Sequence, residues 1–351
     1  MKTYLRAMGN VSPQPTYGRR EIPLAVIGPT GNRMMAMEPD YKELIDPKML
    51  RRMSRIIRMG VAAAMECLRE AALQTPDAII TGTAYGCLQD TDLFLTRMVE
   101  QHEELLTPTA FIQSTHNTVG AQISLIIQCR NYNNCFVHRG FSFESALLDA
   151  MLFLEEEEGE TVLTGAVDEI TDRSHVILSR MGLYKPRDFS GELIGSTTRG
   201  TVAGEGAAFF LLGRKPSVQD YCTIDGLKTF YKPSNVDVAG NEIRDFLDEL
   251  KVHAADLDLI ITGKNGDASH DSHLNEVVQD ILPGIPSLTY KDLCGEYPSS
   301  TAFALWMAAG ILRKGKVPAT KNSIAVEGIR RMLIYNNYLG IHHTLMLVTA
   351  C

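Results

Sequence analysis

Four sets of residues in this sequence have types and spacings that could do chemistry. His270 and His273, in Asp267-Ala268-Ser269-His270-Asp271-Ser272-His273, combine ligand-type side chains at His-x-x-His spacing, as a metal site would. The same segment reads as a polar loop entering a helix, where the histidines would be a solvated face or a cap. Arg51, Arg52, Arg55 and Arg58 recur at helical spacing and could meet an acidic protein surface. A plain exposed helix face satisfies that pattern equally well. The glutamate run 155–158 reads as the solvated end of a helix, at the end where the helix dipole disfavours acids. Cysteines sit at 67, 87, 129, 135, 222, 294 and 351. Their number is odd and none is spaced Cys-x-x-Cys, so neither a disulfide framework nor a zinc ribbon is expected. Scattered reduced thiols fit a cytoplasmic protein.

The elements that must position such residues read as α/β. Apolar positions at helical spacing mark a helix over 47–73, opened by Pro47. A short apolar strand at 78–82 follows, then helices around 88–104 and 117–128 separated by a loop with Pro108. Residues 135–137 read as a strand, 144–157 as a helix, and 161–164 as a strand. Strands at 207–213 and 222–230 lead into a second half with helices at 240–252, 272–281 and 299–313 and strands at 258–262 and 344–349. Asp77-Ala78-Ile79-Ile80-Thr81-Gly82 is echoed by Asp258-Leu259-Ile260-Ile261-Thr262-Gly263, an offset of 258 − 77 = 181 residues. The same offset carries His116-Asn117-Thr118-Val119-Gly120-Ala121 onto Tyr297-Pro298-Ser299-Ser300-Thr301-Ala302. Short buried strands alternating with helices mean sheets covered on both faces. The expected fold is therefore a layered α/β body of two pseudo-symmetric halves, 1–215 and 216–351.

Composition bounds the rest. The chain has 351 residues, 45% hydrophobic and 22% charged, which excludes disordered and low-complexity classes. A net charge of −8 argues against general nucleic-acid binding. No apolar run is long enough for a membrane span, and the polar N-terminal residues with Pro13 and Pro15 do not form a secretory signal.

Four segments, in order, resemble the β-ketoacyl synthases of the thiolase-like superfamily. Pro47-Lys48-Met49-Leu50-Arg51-Arg52-Met53-Ser54-Arg55, running into Gly60-Val61-Ala62-Ala63-Ala64, is similar to the family's early helix. Ile80-Thr81-Gly82-Thr83-Ala84-Tyr85-Gly86 resembles the strand and turn after it. The segment from Gly159 to Glu169 resembles the strand after the nucleophile helix. Gly200-Thr201-Val202-Ala203-Gly204-Glu205-Gly206-Ala207 resembles the glycine-rich segment and is the most specific match. The resemblance implies a thiolase-like α-β-α-β-α fold and no cofactor.

It also implies a nucleophilic cysteine at a helix N-terminus, two histidines that stabilise the decarboxylating group, and a supporting lysine. Matched residue by residue, the cysteine position falls on Ser142, in Arg139-Gly140-Phe141-Ser142-Phe143-Glu144. No residue from 137 to 149 is cysteine, so the loss does not depend on the placement. Cys135 reads as a buried structural thiol in the preceding strand, and Ser142 also reads simply as a helix N-cap with Glu144 in the first turn. The first histidine position matches Asn265, with Gly263 as the gapless alternative, and the second matches Glu296. Lys291 and Gly295 are kept, while Asn337-Tyr338-Leu339-Gly340-Ile341-His342-His343 has one glycine where the family has several.

A carboxylate at the second position would repel a malonyl group rather than assist its decarboxylation. The resemblance is therefore to a chain-length factor, a subunit that lacks the nucleophile and pairs with an active synthase. Aryl-polyene, flexirubin-type and aromatic polyketide systems use that arrangement. Its partners would be an active ketosynthase subunit and, indirectly, an acyl carrier protein, with Arg51, Arg52 and Arg55 as carrier contacts. Thr115, His116, Asn117, Phe141 and Phe143 would lie near the interface and acyl tunnel. Two alternatives stand beside it: an altered acyltransferase or hydrolase using Ser142 with His138 or His116 as base, and a homodimeric acyl-binding scaffold.

Overall fold

The buried central strands of this chain send alternate side chains to two different helical layers. The computed structural model describes residues 2–23, 25–106, 108–317 and 326–351. The first half runs β1 (Thr3–Val11), β2 (Arg33–Met34), α1 (Pro47–Leu50), α2 (Arg55–Glu70), β3 (Ala78–Gly82), α3 (Leu88–Glu100), α4 (Pro108–Gln113) and α5 (Thr118–Ile127). It continues through β4 (Tyr132–Phe136), α6 (Ser142–Glu155), β5 (Thr161–Asp168), α7 (Asp172–Arg180), β6 (Ala203–Gly204) and β7 (Gly206–Gly213). The second half runs β8 (Cys222–Tyr231), α8 (Val236–Glu249), β9 (Leu259–Thr262), α9 (Ala268–Ile281) and β10 (Ser287–Thr289). Then come α10 (Lys291–Cys294), α11 (Thr301–Lys314), β11 (Arg331–Tyr338) and β12 (His342–Ala350).

The strands join in the order β10-β9-β11-β12-β8-β1-β7-β5-β3-β4, with β2 and β6 paired separately. Moving outward from β1, the pairings are antiparallel, antiparallel, parallel, parallel. Moving outward from β8 through β12, β11, β9 and β10, they repeat in the same order. The chain is thus two copies of one five-stranded unit, joined where β1 meets β8. The echoed segments fall on β3 and β9, which hold equivalent places. Their leading aspartates do the same work: Asp77 Oδ2 accepts the backbone N–H groups of Glu160 and Thr161 at the start of β5. Asp258 Oδ2 accepts those of Arg330 and Arg331 at the start of β11.

The second echo does not hold. α11 lies between β10 and β11, so its counterpart is α6, between β4 and β5, and not α5. The insertion of α3, α4 and α5 where the second half has only α9 shifts the register. The expected helix over 47–73 is also two helices. Asp46 caps α1 at the backbone N–H of Lys48, and extended backbone at Ser54 opens α2 separately. Strands 207–213 and 222–230 do not pair with each other, because β1 lies between them.

Side-chain alternation builds five layers. Ile79, Leu163, Val167 and Phe209 point toward α2 and α5, while Ala78, Ile80, Val162 and Phe210 point toward α6 and α11. In the second half Met332 and Ile334 face the same middle layer, whereas Leu333 and Leu345 pack on α8 and α9. This is the thiolase-like α-β-α-β-α arrangement. The middle helix α11 is buried from Thr301 to Leu312, which explains its nearly all-apolar sequence. Gly82 lets β3 meet the start of α6, where a Cβ would sit 2.5 Å from the Ser142 carbonyl oxygen. Gly82→Ala therefore costs about 1–3 kcal/mol through overpacking, a loss readable in urea denaturation.

Candidate functional site

Asn265, Lys291 and Glu296 are brought together where the second half turns from strand to helix. Asn265 follows β9, in a turn fixed at both ends. Its backbone N–H and that of Gly266 donate to the two carboxylate oxygens of Asp271, each at 2.9 Å. Its carbonyl oxygen accepts from the Thr201 hydroxyl at 2.5 Å. Buried Lys185 holds the next peptide, donating to the Gly266 carbonyl oxygen at 2.9 Å. Lys291 opens α10, and Gly295 ends it at φ +73, against Gly204, with no room for a Cβ. The Glu296 backbone is then clamped, its N–H on the Val202 carbonyl oxygen and its own carbonyl oxygen taking the Gly204 N–H.

The side chains form a closed knot. Lys291 Nζ lies 3.0 Å from each carboxylate oxygen of Glu296 and donates to the Asn337 carbonyl oxygen at 2.8 Å. The Asn265 amide donates to Glu296 Oε2 at 2.6 Å, and its Oδ1 accepts from the Asp267 N–H at 3.0 Å. All three residues are buried. Burial pushes the Glu296 carboxyl up, against the pull of Lys291 and the Asn265 amide. The three donors of the ammonium are used, so Lys291 is not free to hold a substrate group.

Ser142 does not join it. The residue is fully buried at the start of α6. Its hydroxyl donates to the Arg139 carbonyl oxygen at 2.8 Å and accepts the backbone N–H of His138 at 2.9 Å. A serine nucleophile needs a side-chain base in contact. Here the hydroxyl is spent on its own turn, where Arg139 has left-handed backbone (φ 47), and both of its hydrogen bonds go to backbone groups. The space above the turn is filled from the second half. A Cβ on Gly140 would meet Tyr338 Cδ1 at 2.8 Å and the His342 side chain at 2.9 Å. Phe141 stands edge-on to His342, with ring centroids 4.8 Å apart.

The remaining expected residues separate. Thr115, His116 and Asn117 are exposed between α4 and α5. Phe143 is core, packed on Phe210, and Phe141 is buried. Arg51 and Arg52 are exposed in the α1–α2 turn, whereas Arg55 turns inward to ion pairs with Glu205 and Glu38. Cys135 lies in β4, half-buried, its thiol bonded to the His116 carbonyl oxygen. His270 and His273 lie on α9, and no group of three ligating side chains suited to a metal occurs among the described residues. No helix among them is long and apolar enough to cross a membrane.

Asp168 and Glu144 are buried carboxylates whose partners the sequence did not show. Asp168 accepts from Thr83, the Ala84 N–H, and both the hydroxyl and N–H of Ser299, stitching the halves together at the start of α11. Glu144, in the first turn of α6, accepts the Thr344 hydroxyl at 2.9 Å, while its Oε2 has no hydrogen-bond partner. Burial raises its carboxyl to about 7, against Thr301, Thr344 and Lys291.

Comparison with known proteins agrees with this architecture. Residues 31–180 match the family model of the β-ketoacyl synthase N-terminal domain. Compared by sequence with curated proteins, the chain has no match. Among solved structures it is similar to the ishigamide ketosynthase/chain length factor, at 18% identity and TM-score 0.79, covering 100% of this chain and 99% of that one. It is also similar to a β-ketoacyl synthase from Burkholderia phymatum STM815, at 13% identity and TM-score 0.79, over 100% and 99% of the two chains. A ketosynthase (ApeO) in complex with its chain length factor (ApeC) from Xenorhabdus doucetiae matches at 15% identity and TM-score 0.77, over 99% and 98%. The whole chain has the thiolase-like fold of the ketosynthases. Its residues 31–180 are similar to the N-terminal domain of the β-ketoacyl synthases.

Proposed function

We propose that this chain is the non-catalytic, chain-length-factor-type subunit of a polyketide- or polyene-type synthase, pairing with an active ketosynthase whose acyl tunnel it helps to shape. The observation that carries the reading is an inert centre inside an intact ketosynthase fold. The three matched positions are a sealed serine, a fixed asparagine and a carboxylate locked on the retained lysine.

An unpaired edge supports the pairing. β4 ends the sheet, with α5 and α6 on its two faces. Around it Leu125, Tyr132, Val137, Leu148 and Leu152 are exposed, and Phe111 and Ile112 extend the apolar surface along α4. Apolar exposure beside an open strand edge marks a surface that another chain covers. Exposed Arg51 and Arg52 remain available to an acidic carrier protein docked on the pair.

Expressed alone, the chain should show no condensation activity; co-expressed with a candidate synthase, it should elute with that subunit and the pair should elongate acyl chains. Leu148→Arg with Leu152→Arg should abolish co-elution while leaving a folded chain by circular dichroism. A stable monomer that no synthase binds would sink the proposal. A covalent acyl adduct lost in Ser142→Ala would instead favour an altered acyltransferase, and a homodimer indifferent to the synthase would favour a scaffold.

A further inference from the structure

The knot at Asn265, Lys291 and Glu296 has the construction of a ligand site. An ammonium and an amide N–H converge on one carboxylate: Lys291 Nζ reaches both oxygens at 3.0 Å, and Asn265 Nδ2 reaches one at 2.6 Å. Neither donor group is free to drift. Lys291 is anchored on the Asn337 carbonyl oxygen, and Asn265 is held through its backbone by Asp271 and through Oδ1 by the Asp267 N–H. Charge-assisted bonds from fixed donors, with water excluded, are how proteins bind small carboxylic acids. What distinguishes this site is its occupant.

We infer that the Lys291–Asn265 corner is a carboxylate-binding seat filled by the chain's own Glu296, so that the seat is closed to acids in the native protein and becomes a receptor for a small monocarboxylate once that side chain is removed. The geometry also fixes the ligand's size. Glu296→Ala deletes Cγ and the carboxyl group, and acetate carries the same atoms: its methyl carbon stands for Cγ and its carboxylate for the lost one. Formate fits with a gap, whereas trimethylacetate is too bulky for a space bounded by the Gly204–Gly295 contact and the clamped Glu296 backbone. The inference is independent of the pairing proposed above, and either can fail alone.

The test is thermal unfolding of Glu296→Ala at neutral pH, with sodium acetate titrated against sodium chloride at constant ionic strength. Acetate should raise Tm saturably, by roughly 2–4 °C. Formate should act more weakly and trimethylacetate not at all. Wild type, whose seat is filled, and Lys291→Met/Glu296→Ala, whose seat lacks its cation, should show no such response. An equal response in the double variant, or none in Glu296→Ala, overturns the inference. Should Glu296→Ala not fold unaided, recovery on refolding from urea in acetate supports the inference, and failure to recover overturns it.

Discussion

Lys291→Met lowers the unfolding free energy by about 3–5 kcal/mol, and adding Glu296→Leu restores most of the loss. The single variant strands a carboxylate among apolar and polar neighbours that were arranged around an ammonium. Glu296 keeps only the Asn265 amide, and the Asn337 carbonyl oxygen loses its donor. Leaving a buried charge unpaired is costly, whereas replacing a buried pair by apolar side chains of similar volume is often neutral. The double variant therefore separates the worth of the ion pair from the penalty of breaking it. Urea unfolding at neutral pH reads both. The deficit of Lys291→Met should shrink on acidification, because the stranded carboxyl can then take a proton. A double variant as unstable as the single one would mean that the knot matters through packing and not through charge.

The members of this knot were named one by one from the family resemblance, and the sequence did not show that they would bond to one another. Asn265 follows an apolar strand that repeats an earlier one, and Lys291 and Glu296 flank a short turn before a long apolar helix. Their convergence follows from the fold alone. Ser142 was matched through the same resemblance to the family's cysteine position, but not read as a sealed hydroxyl. Its turn includes one left-handed residue, Arg139, which no composition rule marks. β1 was missed because Arg6 and Asn10 break its apolar pattern; Arg6 is satisfied by Asp220, more than two hundred residues away. The duplication showed through β3 and β9, yet a constant offset could not survive the extra helices α3 to α5. Long-range partners decide these cases, and a local reading has no access to them.

Glu144 is the clearest such case, since a glutamate in a first helical turn normally faces water and favours the helix dipole. Here the turn is buried between the halves, and Thr344, two hundred residues on, is its hydroxyl partner. With the carboxyl raised from 4.5 to about 7 by burial, the folded chain holds a proton that the unfolded chain has released. Between those two pH values the native state binds more protons, so stability falls as pH rises. The glutamate's contribution is complete below pH 4.5 and gone above pH 7, a change of about 3 kcal/mol at 1.36 kcal/mol per unit. Glu144→Gln removes the titration without removing the shape. Its offset from wild type depends on what the new amide donates to, but the difference in stability between variant and wild type should grow by about 3 kcal/mol in the variant's favour from pH 4.5 to 8. Urea unfolding at steps across that range measures it. Parallel stability curves for the two proteins would show that Glu144 is ionised, and solvated, in the folded state.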